Sequence, residues 1–136
     1  MTILSRRPAP LRAAMLLILA MLSAGAARAA DLPSSPTGDP AAGAQAFKQR
    51  CSICHGLSEN RFGPRLGDVY GRRVATAPGF GYSDALRART FQWSDTTLDT
   101  WLAGPKRFVP GAAMWPHVDD AKTRANLIAY LRTKPR

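Results

Sequence analysis

Two cysteines and a histidine stand together in Cys51-Ser52-Ile53-Cys54-His55, and the chain has no other cysteine. Two thiols one helical turn apart can each add to one vinyl group of a porphyrin, and an imidazole directly after the second thiol can bind the iron. A Cys-x-x-Cys-His pentapeptide is therefore typical of covalent c-type haem attachment. We predict one haem c, held by thioethers to Cys51 and Cys54, with His55 as an axial metal ligand.

Two other kinds of site also use a Cys-x-x-Cys pair. A thioredoxin-like dithiol lies near a βαβ pattern, and this sequence shows no such pattern. A structural zinc site needs two more ligands at zinc-finger-like spacing, and beyond His55 the chain offers only His117 as a further histidine. Haem attachment therefore explains the pentapeptide better than either alternative.

The second axial ligand is predicted to be Met114. Residues Met1, Met15 and Met21 all precede residue 29, so Met114 is the only methionine after it. A lone methionine is more often a filler of core gaps, but Met114 lies in a loop rich in Pro and Gly, where no helical stripe explains it. A thioether opposite a histidine favours ferrous haem, as in electron-carrying cytochromes. His117, three residues further on, is the competing ligand.

The N-terminal residues have the pattern of a secretory signal peptide. A positive region, an apolar run and a small-x-small cleavage site follow one another at Arg6, Arg7 and Arg12, at residues 13–27 and at Ala27-Arg28-Ala29. The apolar run is shorter than the about 20 residues of a membrane span, so cleavage is predicted and an uncleaved N-terminal anchor is the alternative. A twin-arginine signal fits less well, because Pro8-Ala9-Pro10 follows where such a signal carries apolar residues. The predicted location is the periplasm.

Charge and length predict one basic domain. The domains expected are the signal peptide at 1–29, a flexible lead-in at 30–38 and the folded domain at 39–136. The whole chain carries a net charge of +10, and cleavage removes four of its 19 basic residues and none of its nine acidic ones, which leaves +6. This balance suits docking on acidic protein surfaces. Nucleic acid is not expected as a partner, because the basic residues are scattered and accompany no nucleic-acid motif.

Helix signals separated by loops predict an all-α fold. Asp39 is a good N-cap, and Pro40 suits the first position of a helix. A short helix is expected at 83–88, and a further helix is capped by Ser94 and ended by Gly104 and Pro105. A loop is expected at 106–116. The last helix begins at Asp119 or Asp120 and carries an apolar stripe: Leu127, Ile128, Tyr130 and Leu131. No strand alternation and no internal repeat is visible.

An ordered set of motifs resembles the class I cytochromes c of the small soluble mitochondrial and bacterial type. The resemblance covers Asp39 to Arg132. Its motifs are Gly43-x-x-x-Phe47, the Cys51–His55 pentapeptide, Gly63-Pro64-Arg65-Leu66, Gly71-Arg72-Arg73, Ala77-Pro78-Gly79-Phe80-Gly81-Tyr82-Ser83, Trp93, the segment from Pro105 to Met114, and Asn126-Leu127-Ile128-Ala129-Tyr130-Leu131.

This resemblance implies a fold of four to five short helices around one covalently attached haem. It implies that Gly43 and Phe47 cross the last helix at Leu127 and Tyr130. It also implies that the carbonyl of Pro64 accepts the Nδ1 hydrogen of His55 and so fixes the imidazole.

The resemblance further implies that Arg72, Tyr82 and Trp93 hold the haem propionates. Taken alone, Arg72 could equally be a solvated charge, and the two aromatic residues could equally be plain core.

The chain departs from the family pattern near Met114. Trp101 stands where a tyrosine hydroxyl is common, Leu86 where an asparagine often joins the haem network, and Ala112 and Ala113 where Thr-Lys is usual. These departures remove hydrogen bonds around the methionine. They sustain one rival from another class, a haem enzyme or ligand sensor with an open coordination position.

The function implied is one-electron transfer in a periplasmic respiratory chain, without enzymatic activity. The expected partners have acidic docking surfaces: a quinol-oxidising cytochrome complex, an oxidase or a periplasmic dehydrogenase. We expect a monomer that is not inserted in the membrane once its signal is cleaved.

Overall fold

A computed structural model describes residues 37–134 of the chain. The predicted signal peptide at 1–29 lies outside the described residues, as do residues 30–36 of the lead-in. The described part contains five helices, α1 (Pro40–Arg50), α2 (Asp84–Arg87), α3 (Asp95–Ala103), α4 (Pro105–Phe108) and α5 (Ala121–Arg132). Within it the only extended pairing is an isolated antiparallel bridge between Arg73 and Gln92. The predicted all-α fold class is confirmed.

Helix α1 begins and ends as its sequence predicts. The Asp39 carboxylate accepts the backbone N–H of Ala41 at 2.8 Å, and Pro40 occupies the first turn, where its missing N–H is not needed. Cys51 is the C-cap residue. The backbone N–H of His55 then donates to the Cys51 carbonyl at 2.9 Å. The pentapeptide therefore continues beyond α1 as hydrogen-bonded turns, and the bond from His55 to Cys51 is that of a single helical turn.

Helices α1 and α5 cross at Gly43. A Cβ built on Gly43 would collide with the Asn126 carbonyl and would lie 2.7 Å from the Cβ of Tyr130, so only a glycine permits this approach. One turn further on, the rings of Phe47 and Tyr130 lie 5.6 Å apart. The amide N–H of Asp39 donates to Oδ1 of Asn126 at 2.8 Å. The predicted crossing is present, with Asn126 rather than Leu127 against the glycine.

Helix α3 is fixed at its start by Ser94 and along its length by α5. The Thr97 backbone N–H donates to the Ser94 hydroxyl at 3.3 Å, and the Ser94 N–H donates to the Thr97 hydroxyl at 2.8 Å, which forms a capping box. On its side, Asp99 accepts from Nε of Arg124 in α5 at 2.7 Å.

The loop predicted at 106–116 is wrong at its start, where residues 106–108 belong to α4. Gly104 ends α3, and Pro105 then begins a new helical turn, because its fixed φ suits a first helical position. The backbone N–H of Val109 donates to the Pro105 carbonyl at 2.8 Å and closes this turn. Residues 109–116 are turns and irregular backbone, as predicted.

The core is built from helices and loops in similar measure. Its buried side chains come from α1, α2, α3 and α5 and from the connecting segments: Phe47, Leu86, Leu98, Trp101, Leu102, Leu127, Ile128, Leu131, Val69, Val74, Trp93, Val109, Ala112 and Val118. The apolar stripe predicted on the last helix therefore lies in the core, with Tyr130 partly buried against it. Among the described helices, none is long and apolar enough to cross a membrane.

Candidate haem-binding site

The two thiols of the pentapeptide differ in exposure. Cys51 caps the end of α1 and is partly buried, whereas Cys54 is exposed. Burial raises the pKa of the Cys51 thiol to about 11, against the opposing charge of Arg50. Cys51 is therefore protonated at neutral pH, and Cys54 is the more accessible thiol.

His55 is held by one hydrogen bond that fixes its tautomer. Its Nδ1 lies 2.8 Å from the carbonyl oxygen of Pro64. Because a carbonyl can only accept, Nδ1 carries the hydrogen and Nε2 keeps a free lone pair. Burial lowers the pKa of His55, and the bond to Pro64 works in the opposite direction. A neutral imidazole with a free Nε2 is the form that binds iron.

Gly63 provides the surface against which this imidazole packs. A Cβ at Gly63 would collide with the His55 ring and would lie 2.6 Å from Nδ1. The backbone N–H of Gly63 donates to the Cys54 carbonyl at 2.7 Å, which ties the two segments together. The motif that contains Gly63 and Pro64 marks this position in the sequence, but its spacing alone does not predict the contact with the His55 ring.

Arg72 lies beside the site with its side chain only 10% exposed. It is paired with Asp68, and its Nη2 donates to the Arg65 carbonyl at 3.0 Å. The Nε atoms of Arg72 and Arg65 are buried without a hydrogen-bond partner. Since an unpaired buried N–H is costly, these two donors fit an additional anionic group, such as a haem propionate.

Asp68 is the acidic member of this cluster, and sequence reasoning missed it. It accepts from Arg72 and, at 3.0 Å, from Nη2 of Arg65. Burial raises its pKa, but the Arg65 hydrogen bond and the charges of Arg72 and Arg65 outweigh this and hold the pKa below its usual range. Asp68 is therefore ionised at neutral pH and offsets one of the two arginine charges.

The two predicted aromatic residues lie in different surroundings. Trp93 is buried, its backbone N–H donates to the Arg72 carbonyl at 2.9 Å, and its ring meets Trp101 edge-on at 5.4 Å. Tyr82 is partly buried, and its hydroxyl oxygen accepts the Ala77 N–H at 3.2 Å, so its own hydrogen stays available to donate. The structure thus brings Trp93 and Arg72 together, and no hydrogen bond between described residues joins Tyr82 to either.

Met114 and His117 differ in burial. Met114 is partly buried and packs against the core, and Ala112 just before it is buried. His117 has a side chain that is 55% exposed, with Nε2 3.4 Å from Oδ1 of Asp119. This placement favours Met114 over His117 as the residue directed inward.

The comparisons with known proteins identify the family. No family model matches the sequence. The chain is 42% identical over 106 residues to the cytochrome c-type cyt cy of Rhodobacter capsulatus, a match that covers 76% of this chain and 53% of that protein. It is 34% identical over 107 residues to cytochrome c of Nigella damascena, covering 76% of this chain and 96% of that protein.

A solved structure agrees with these relatives. The chain superposes on cytochrome cH from Methylobacterium extorquens with a TM-score of 0.68 and 42% identity, covering 71% of this chain and 100% of that one. The fold and site define a small all-α haem protein that carries electrons and is not an enzyme. The chain belongs to the class I cytochromes c. These relatives imply haem c as the cofactor and do not favour the alternative of a haem enzyme.

Proposed function

We propose that this protein is a periplasmic one-electron carrier with one haem c, bound through thioethers to Cys51 and Cys54 and ligated by His55 and Met114. The observation that carries the proposal is the hydrogen bond from His55 Nδ1 to the Pro64 carbonyl at 2.8 Å. It leaves Nε2 free to bind iron, and it strengthens the imidazole as a donor.

The chain would bind the haem, orient its ligands and exclude water from the iron. Bound haem c supplies an iron that changes between the ferrous and ferric states. His55 packs against Gly63 and is hydrogen-bonded to the Pro64 carbonyl, and these contacts would hold its imidazole in one orientation toward the iron. Met114 would supply the second protein ligand to the iron, which would leave no ligand position for a substrate. Arg72 supplies one of the two buried donors that suit a propionate, and Trp93 donates its backbone N–H to the Arg72 carbonyl.

The partners proposed are redox proteins with acidic docking surfaces, such as a quinol-oxidising complex, an oxidase or a periplasmic dehydrogenase of a respiratory chain. Three large apolar side chains near the site are exposed: Ile53 by 74%, Phe62 by 85% and Trp115 by 72%. Ile53 lies between the thiols and Trp115 follows Met114, which supports an interface beside the haem. The carrier is a monomer, exported by a signal peptide at 1–29 and folded over 39–136.

The first experiment is the optical spectrum of the purified ferric protein and of M114A. The native protein is expected to show the weak long-wavelength methionine-to-iron charge-transfer band at neutral pH, because the thioether is bound. The M114A variant is expected to lose this band and to have a lower reduction potential, since it lacks the ligand that favours ferrous haem. Absorption spectroscopy and redox titration measure both effects.

The matched control is H117A, which removes the competing ligand and should keep the band and the potential. A native low-spin spectrum without the band would assign the position to His117 or a lysine instead. A native high-spin spectrum would mean an open sixth position and would contradict the electron-carrier proposal.

A further inference from the structure

The peptide unit between Pro64 and Arg65 is hydrogen-bonded at both of its ends. Its carbonyl accepts from His55 Nδ1 at 2.8 Å, and its N–H donates to Oδ1 of Asn60 at 2.9 Å. The two groups belong to one conjugated amide. An acceptor on the N–H therefore increases the negative charge on the carbonyl oxygen, which strengthens that oxygen as an acceptor for His55.

Asn60 is itself fixed on its other side. Its Nδ2 donates to the Pro78 carbonyl at 2.9 Å. Since a backbone N–H can only donate and a carbonyl can only accept, these two partners determine which end of the Asn60 amide faces which loop. A continuous chain of hydrogen bonds thus runs from Pro78 through Asn60 and the shared peptide to His55.

A second side chain holds the same segment. The Arg65 carbonyl accepts from Nη2 of Arg72 at 3.0 Å. Arg65 is therefore bonded at its N–H by Asn60 and at its carbonyl by Arg72, so the Pro64–Arg65 peptide has little freedom to rotate. The position of the Pro64 oxygen is set by these contacts as well as by the proline ring.

We propose that Asn60 is a positioning residue for His55, acting through the Pro64–Arg65 peptide. This inference rests on the proposed role of His55 as an axial ligand. Asn60 holds the Pro64 carbonyl in line with Nδ1 and strengthens its hydrogen bond, which makes the imidazole a more electron-rich ligand. An electron-rich ligand stabilises ferric iron, so Asn60 lowers the reduction potential of the protein.

The test uses N60A in the haem-loaded protein. Removing the acceptor weakens the neighbouring bond by roughly 10–30%, so at the native midpoint potential the ferrous-to-ferric ratio is expected to rise about twofold. The proton on His55 Nδ1 is expected to resonate at higher field, because its hydrogen bond is weaker. Redox titration measures the first effect, and NMR of the ferrous protein measures the second.

Two further variants separate tuning from simple loop support. N60D keeps an oxygen that accepts the Arg65 N–H but loses the donor to Pro78, and its carboxylate is a stronger acceptor than the amide. The Nδ1 resonance should therefore stay at its native field or move to lower field, even where stability falls. T76V removes a loop hydrogen bond in which the Thr76 hydroxyl donates to the Arg73 carbonyl at 2.7 Å. It does not touch the shared peptide, so it should leave both the potential and the resonance unchanged.

The outcomes are distinct. Native values of potential and resonance in N60A would overturn the inference, even with lowered stability, and so would an Nδ1 resonance displaced to higher field in N60D. A native protein whose ferrous NMR spectrum shows that His55 is not an iron ligand would overturn both this inference and the proposed function. That result would be visible before any variant is made.

Discussion

Gly43 lies where α1 crosses α5 and leaves no room there for a side chain. In a helix without such a neighbour, changing glycine to alanine stabilises by about 1 kcal/mol. Here the added methyl group would meet the Asn126 backbone, so G43A is expected to lower the free energy of unfolding by about 2 kcal/mol. Denaturant titration of the haem-loaded protein measures this change.

The control for this prediction is Q45A on the same helix. Gln45 is exposed, so the variant tests helix propensity alone and should change stability little. If G43A were as stable as Q45A, α1 and α5 could move apart to fit the added methyl group without loss of unfolding free energy.

Single residues were predictable from sequence where a motif fixes their spacing. Gly43 and Phe47 and the bond between His55 and Pro64 fall in this class, because the resemblance of their motifs to the class I cytochromes c implied each of them. Asp68 and Asn60 could not be assigned. Their partners come from loops that approach only in the folded chain, and a lone charge or amide in a loop carries no spacing signal.

Ser94 determines where α3 begins. Its hydroxyl and that of Thr97 satisfy each other's backbone N–H groups. Replacing Ser94 by alanine leaves a helix-terminal N–H without its acceptor, and S94A is expected to cost about 1 kcal/mol of unfolding free energy. Thermal or denaturant unfolding followed by circular dichroism measures it.

Ser83 provides a matched comparison at the start of α2. It stands at the same N-cap position, but its side chain makes no capping hydrogen bond. S83A should therefore be close to native stability. Equal losses in S83A and S94A would mean that the capping box does not stabilise α3.

Helix boundaries were predictable where a capping side chain marks them. Asp39, Ser94 and Asp120 all cap helices in the structure. Helix α4 was missed because Pro105 was interpreted only as the end of α3. Four residues are too few to show a periodicity, so nothing but the proline itself could have indicated a new start.

The positive charge of the whole molecule bears on how fast it meets its partners. Electrostatic attraction to an acidic partner raises association rates at low salt, and salt screens it. Raising the ionic strength from about 0.01 M to about 0.5 M is expected to slow electron transfer to an acidic redox protein about tenfold or more. Stopped-flow absorption at the haem bands measures the rate.

An uncharged small-molecule oxidant is the control, since its rate should not depend on salt. A rate of reaction with the partner protein that is equally insensitive to salt would contradict docking by charge.

The net charge of the sequence indicated the sign of this salt effect, but not which face of the protein carries the positive charge. The positions of charges on the folded surface depend on how the chain packs, and composition alone does not give that packing.

The contact between the first and last helices also has a consequence for the order of synthesis. Asp39 at the start of α1 bonds to Asn126, which is translated 87 residues later. Both cysteines and His55 are made long before that partner exists. During synthesis, the two thiols are therefore accessible before α5 exists to pack against α1. Helix α5 can pack on α1 only after the Cys51–His55 segment has been exposed to solvent.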